Sequence, residues 1–254
     1  VWLQNAGLIW VPFILLATLG SVFGQNNIRG TEETYSEKTA IFGRKHAWTL
    51  GWMYTGTFGS FIGFAAAFPI LLAVLFPDSG ALKWAFMGPL AGALIRPLGG
   101  WLSDRIGGAK VTFWNFAVMF LAGIWALMSL PSGTAGTDVS GFFAAFMLLF
   151  LTAGIGNGSV FHIVPSVFRK LHERAAEGED QATQQAARAA GAVEASVALG
   201  FTSAIAALGL FFIPAFVATS IQTTGSAHFA ISVFSVFYLS CVLATWWWYK
   251  RKDA

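Results

Sequence analysis

Apolar residues fall along this chain in long runs separated by short polar breaks. The runs cover residues 2–23, 47–75, 82–101, 111–130, 141–168, 189–219 and 229–249. Each is about twenty residues or more, the length an α-helix needs to cross a bilayer core about 30 Å thick. The pattern predicts an all-α membrane protein with seven transmembrane helices, one before and six after a polar stretch. Residues 1–24 hold the first helix, 25–46 a connecting loop carrying Arg29, Glu32, Glu33, Glu37, Lys38, Arg44 and Lys45, and 47–254 a six-helix bundle. The chain is already apolar at Val1 and Trp2, with no basic n-region ahead of the first run, so it is expected to be part of a longer protein.

Composition agrees with this pattern. Hydrophobic residues make up 56% of the chain and charged residues 11%, with mean hydropathy +0.65, whereas a soluble domain carries about 25% charged residues. The formal charge of +3 and pI near 9.2 do not indicate nucleic acid, because the basic residues are confined to one set of loops. Residues 76–81, 131–140 and 222–228 contain no Lys or Arg, while 24–46, 105–110, 169–188 and 250–252 contain nearly all of them. By the positive-inside rule the second set is cytoplasmic, and the C-terminus with it. Cys241 is the only cysteine, so no disulfide framework or thiolate metal site is available. No Ser/His/Asp spacing, metal-ligand cluster or nucleotide loop is present, so neither an enzyme nor a cofactor is expected.

Against this apolar background Arg96 is conspicuous. It lies eight residues before Asp104, hence roughly 12 Å inside the wetted end of its helix. An arginine at such depth costs about 2.5 to 3.5 kcal/mol on insertion scales, and such residues face cavities or partners. No Asp or Glu occurs in the middle of any span, so the expected partner is an anion passing through. Counting from the basic ends places Tyr54, Phe58, Asn157 and Ser203 roughly 12 to 22 Å deep, in the same layer. Tyr54 and Phe58 share a helix face at i, i+4. An arginine fork, a phenol, a phenyl face and small polar groups suit a small, flat, delocalised anion.

Each of these residues also has a plainer reading. Aromatics in membrane helices mostly pack. Asn157 lies in Gly154-Ile-Gly-Asn-Gly158, which reads equally well as a close helix crossing, and Gly59 and Gly63 form a small-xxx-small packing pair. His162 reads as a hydrogen-bonded structural histidine. Glu194, six residues past Arg188, belongs near the cytoplasmic interface, paired with a loop base or acting as a gate. The spans 111–130 and 229–249 carry few polar residues, and the second ends in Trp246-Trp247-Trp248-Tyr249, so both are expected to face lipid.

The segment Gly100-Trp-Leu-Ser-Asp104-Arg105-Ile-Gly107-Gly108 resembles the signature loop of the major facilitator superfamily, and falls between the second and third helices after the long loop, where that superfamily has it. Within the superfamily, residues 199–214, 54–64, 93–100 and 151–161 are similar to helices of the bacterial nitrate/nitrite porters. The resemblance covers the whole chain but only the second half of such a porter. It implies a twelve-helix protein of the bacterial inner membrane whose missing N-terminal half supplies a second arginine and ring. It further implies that Arg96 is a clamp arginine, Phe58 a ring on the substrate and Tyr54 a hydrogen bonder. Gly200 and Ser203 become cavity-wall positions, and Gly100, Asp104 and Arg105 parts of the inner gate. The implied partners are nitrate and nitrite and the lipid bilayer, with a monomer as the transport unit. Since no mid-membrane carboxylate is present to carry a proton, exchange of nitrate for nitrite is the expected mode. Carriage of another small anion, nitrate/proton symport and a transporter-like sensor are the alternatives.

Overall fold

The computed structural model describes residues 8–24, 39–131 and 138–251. The inter-bundle charges Arg29, Glu32, Glu33, Glu37 and Lys38, most of the 131–140 loop, and Lys252 lie outside the described residues. The chain divides into two units, residues 1–38 and 39–254. The first contributes α1 (Trp10–Gly24), whose apolar side chains are exposed all around it.

The second unit is a bundle of antiparallel helices. Helix α2 (Lys45–Tyr54) runs through a π-helical turn at Thr55–Gly59 into α3 (Ser60–Leu75). Then come α4 (Met87–Ile106), α5 (Gly108–Met128) and α6 (Val139–Ala175), followed by α7 (Gln181–Ala207) continuing into α8 (Gly209–Thr224), and α9 (His228–Thr245) with a second π-helical turn at Trp246–Lys250. No strand is present among the described residues. Five helices, Lys45–Leu75, Gly108–Met128, Val139–Ala175, Gln181–Thr224 and His228–Lys250, are long and apolar enough to cross a membrane, which makes this a multi-pass membrane protein. Seven spans are expected from the sequence. Helix α4 is twenty residues long but falls outside the apolar set, because glycines, Arg96, Ser103, Asp104 and Arg105 dilute it; α1 is described over only fifteen residues.

The expected loop at 169–188 is mostly helix. Helix α6 continues to Ala175 and α7 begins at Gln181, leaving a five-residue turn. Alanine, Gln, Glu, Lys and Arg dominate there, all good helix formers, so the helices extend beyond the apolar part of the chain. Gly178, at φ +91°, makes the turn, and the Asp180 carboxylate caps α7 by accepting from the Thr183 amide. Gly107 does the same work between α4 and α5, where φ +93° joins two helices through a single residue.

Helix α6 occupies the middle of the bundle, packed against α4, α5 and α7. Its seam with α4 is lined with glycine. A Cβ on Gly99 or Gly154 would collide with the backbone carbonyl of Ile155 or Gly92, and one on Gly158 would lie 2.5 Å from the Arg96 carbonyl oxygen. Gly59 and Gly63 seat α8 in the same way, against Gly209 and Ile213. Farther along, Phe64, Phe68, Phe142, Phe146 and Phe150 fill the core, with the Phe68 and Phe146 rings stacked at 4.9 Å. Tyr238 ties α9 inward by donating to Ser60 Oγ at 2.9 Å in a fully buried contact. Helices α5 and α9 keep one face for the core and turn Trp114, Leu121, Met128, Phe229, Val236 and Leu243 outward, the arrangement of helices that border lipid.

Candidate anion-binding site

The site begins with the π-helical turn. Gly56 and Gly59 in Thr55-Gly-Thr-Phe-Gly59 let neighbours approach closely: an added Cβ at Gly56 would lie 2.7 Å from the Phe116 ring, and one at Gly59 2.9 Å from the Ala206 carbonyl. The backbone there widens to a π turn, a local feature common at functional sites. On its face the Tyr54 and Phe58 rings stack, with centroids 5.3 Å apart and planes within 14°. Phe161 of α6 approaches Tyr54 at 6.1 Å.

Arg96 reaches across from α4 onto these rings. Its guanidinium carbon lies 4.4 Å from the centroid of Phe61 and 5.6 Å from that of Phe58. The ring faces favour a cation by about 0.5 to 2 kcal/mol each, so they offset part of the cost of holding the charge at depth. Among the described residues no carboxylate forms an ion pair with Arg96. The Ser203 hydroxyl and the Arg96 charge both act on the Tyr54 phenol.

Only three buried side-chain nitrogen or oxygen atoms lack a hydrogen-bond partner among the described residues: Arg96 Nε and both amide atoms of Asn157. Asn157 is 4% exposed. It precedes Gly158, which abuts the Arg96 carbonyl. The structure therefore brings Arg96, Tyr54, Phe58 and Ser203 together, with Asn157 next to the residue of α6 that meets the Arg96 backbone. Phe61 and Phe161 are additions; their spacing of three residues from Phe58 and four from Asn157 is the signal that would have found them.

Gly200 lies one turn before Ser203 on α7. It is exposed, and nothing lies within 4 Å of where its Cβ would be. Gly100 is equally uncrowded. Asp104 is exposed and pairs with His162 Nε2 at 2.9 Å, while Arg105 lies over the Trp101 ring at 4.1 Å and makes no ion pair with Asp104. At the same end of the bundle Glu194 accepts from Arg44 Nε at 2.5 Å and lies 2.6 Å from His172 Nε2, joining the start of α2, the end of α6 and α7. A separate apolar groove of about 600 Å³ between Trp48, Trp52, Phe212 and Phe237 contains no charged group and does not include Arg96.

The result is a multi-pass helical bundle with glycine-seamed crossings and a deep arginine that has no acid beside it among the described residues, and comparison with known proteins places it in the major facilitator superfamily. No family model matches the chain. The nitrate/nitrite transporter NarU of Salmonella typhimurium is 43% identical over 98% of the chain, and that of Escherichia coli 41% identical over 98%. The probable nitrate/nitrite antiporter NarK2 of Thermus thermophilus is 34% identical over the whole chain. The matches cover 54%, 54% and 53% of those proteins, so the chain spans about half the length of the curated relatives it matches. The chain belongs to the nitrate/nitrite transporter family.

Proposed function

We propose that this chain is the second half of a carrier that exchanges nitrate for nitrite across a bacterial cytoplasmic membrane. Residues 1–24 then form the last helix of the first half, 25–46 the connection, and 47–254 the six-helix second half with a cytoplasmic C-terminus. The gathering of basic residues at one end of the bundle supports that orientation. The names of the relatives support the cargo.

One observation carries the reading: a guanidinium held deep in the bundle on the Phe58 and Phe61 rings, with no carboxylate beside it among the described residues. A small planar oxyanion completes such a site with two parallel hydrogen bonds and the missing negative charge. An unoccupied site leaves the cation uncompensated in a medium of low dielectric, which opposes the crossing of the empty carrier. Exchange avoids that state, since one anion returns in place of another as the two halves rock about the site. Gly100, Asp104, Arg105 and Glu194 lie at the basic end, where the two halves meet and part as the inner gate closes and opens.

Counterflow in vesicles tests this with the full-length protein that contains the chain. Arg96→Lys replaces the fork with a point charge and is expected to lower transport on the order of a hundredfold. Full transport by that variant would refute the clamp, and equal uptake into vesicles with no internal anion would refute obligatory exchange.

A further inference from the structure

Asn157 carries a polar group that nothing in its surroundings satisfies. Nearby polar side chains have partners: Thr112 donates to Ser159 at 2.9 Å, Ser159 to the Gly156 carbonyl at 3.1 Å, and the Asn115 amide nitrogen to the Met119 sulfur at 3.5 Å. Among the described residues Asn157 alone is buried with both ends of its amide unpaired. Buried polar groups are overwhelmingly hydrogen-bonded, and an exception on a membrane helix requires a reason.

Position supplies one. The α2–α3 helix and α6 run antiparallel, and the Tyr54 ring meets Phe161. One turn onward from Tyr54 is Phe58, and one turn back from Phe161 is Asn157, so Asn157 lies in the layer of Phe58. On its α4 side the next residue, Gly158, touches the backbone of Arg96. The third unmet atom is Arg96 Nε.

Nitrate and nitrite are both planar and singly charged, and differ by one oxygen. Charge cannot separate them, and an arginine fork engages only two oxygens, which both anions have. Discrimination requires a neutral donor directed at the third. Building on the reading above, we infer that Asn157 is a specificity-determining residue: Arg96 takes two oxygens of either anion, and the Asn157 amide nitrogen donates to the oxygen that nitrate has and nitrite lacks.

The test is binding of each anion to the full-length protein, by titration calorimetry, for the parent, Asn157→Leu, Asn157→Ser and Arg96→Lys. The near-isosteric Leu substitution removes the donor and the unmet amide together, so the unfolding temperature stays level or rises. Nitrate affinity falls on the order of tenfold or more, and nitrite affinity changes less than about threefold. The Ser variant keeps a donor but withdraws it from reach, and loses nitrate selectively even if the Leu variant does not fold. Unchanged nitrate affinity, or equal loss for both anions, would overturn the inference and leave the anion site standing. Arg96→Lys binding both anions as the parent does would instead overturn the site itself.

Discussion

Gly158→Ala tests whether packing and chemistry are joined at Arg96. The added methyl would lie 2.5 Å from the Arg96 carbonyl oxygen and 2.6 Å from the Gly100 nitrogen, against 3.4 Å for ordinary contact. Both atoms are backbone, so no side chain can swing aside. Helices α4 and α6 must separate by about 0.9 Å at that level. Overpacking of this kind costs about 1 to 3 kcal/mol, against a gain of up to about 1 kcal/mol from replacing a glycine inside a helix. Displacement of the Arg96 backbone by that distance also moves the guanidinium off the Phe58 and Phe61 rings, and a misplacement near 1 Å in a positioned site costs about a hundredfold in rate. Gly200→Ala is the control, since its methyl meets nothing within 4 Å; it gains the helix propensity and leaves this half's packing alone. Thermal unfolding and counterflow transport of the full-length protein are the assays. The expectation is a Gly158→Ala protein with lower melting temperature and strongly reduced transport, beside a Gly200→Ala protein at least as stable as the parent. A Gly158→Ala variant with parental stability and transport would refute the reasoning.

Two further changes probe the basic end. Glu194→Gln removes the charge that joins Arg44 and His172; with Arg44 half exposed the pair is screened, so the expected loss is about 1 kcal/mol and a few degrees of melting temperature. Parental stability would show that the three-way contact adds nothing. Asp180 has its carboxyl held below the ordinary 3.8 by hydrogen bonds from the Thr183 side chain and amide. A depressed value means that the cap acts above the ordinary carboxylate range and is lost as pH falls through the lowered one. The Thr183 amide resonance should therefore titrate with a midpoint below 3.8 and lose that titration in Asp180→Asn; a midpoint at or above the ordinary value would contradict the cap.

What could be read from the sequence follows from what hydropathy measures. The apolar runs locate the helices of residues 47–254 because each must lie against lipid or another helix. They misplace the ends of α6 and α7, since hydropathy reports contact with lipid and the segments 169–175 and 181–188 are helical outside it. The deep arginine was legible because a charge within an apolar run has few physical reasons to be there. Its nearest ring was not: Phe58 and Phe61 both fall within a turn of each other, and the π-helical turn between Thr55 and Gly59 shifts the register that a regular helix would impose.

The glycines show the same limit and also what lies behind it. Gly154 and Gly158 announce a close crossing, yet a sequence does not say which backbone atom of which helix fills the space. Here it is the carbonyl of Arg96 itself that Gly158 meets. The spacing between α4 and α6 therefore sets how far the guanidinium extends over its rings, and Asn157 is carried by the same turn of α6. Two readings that were rivals for this segment, helix crossing and anion contact, are thus compatible: the small residues bring the backbones together, and that approach is what positions the polar groups between them.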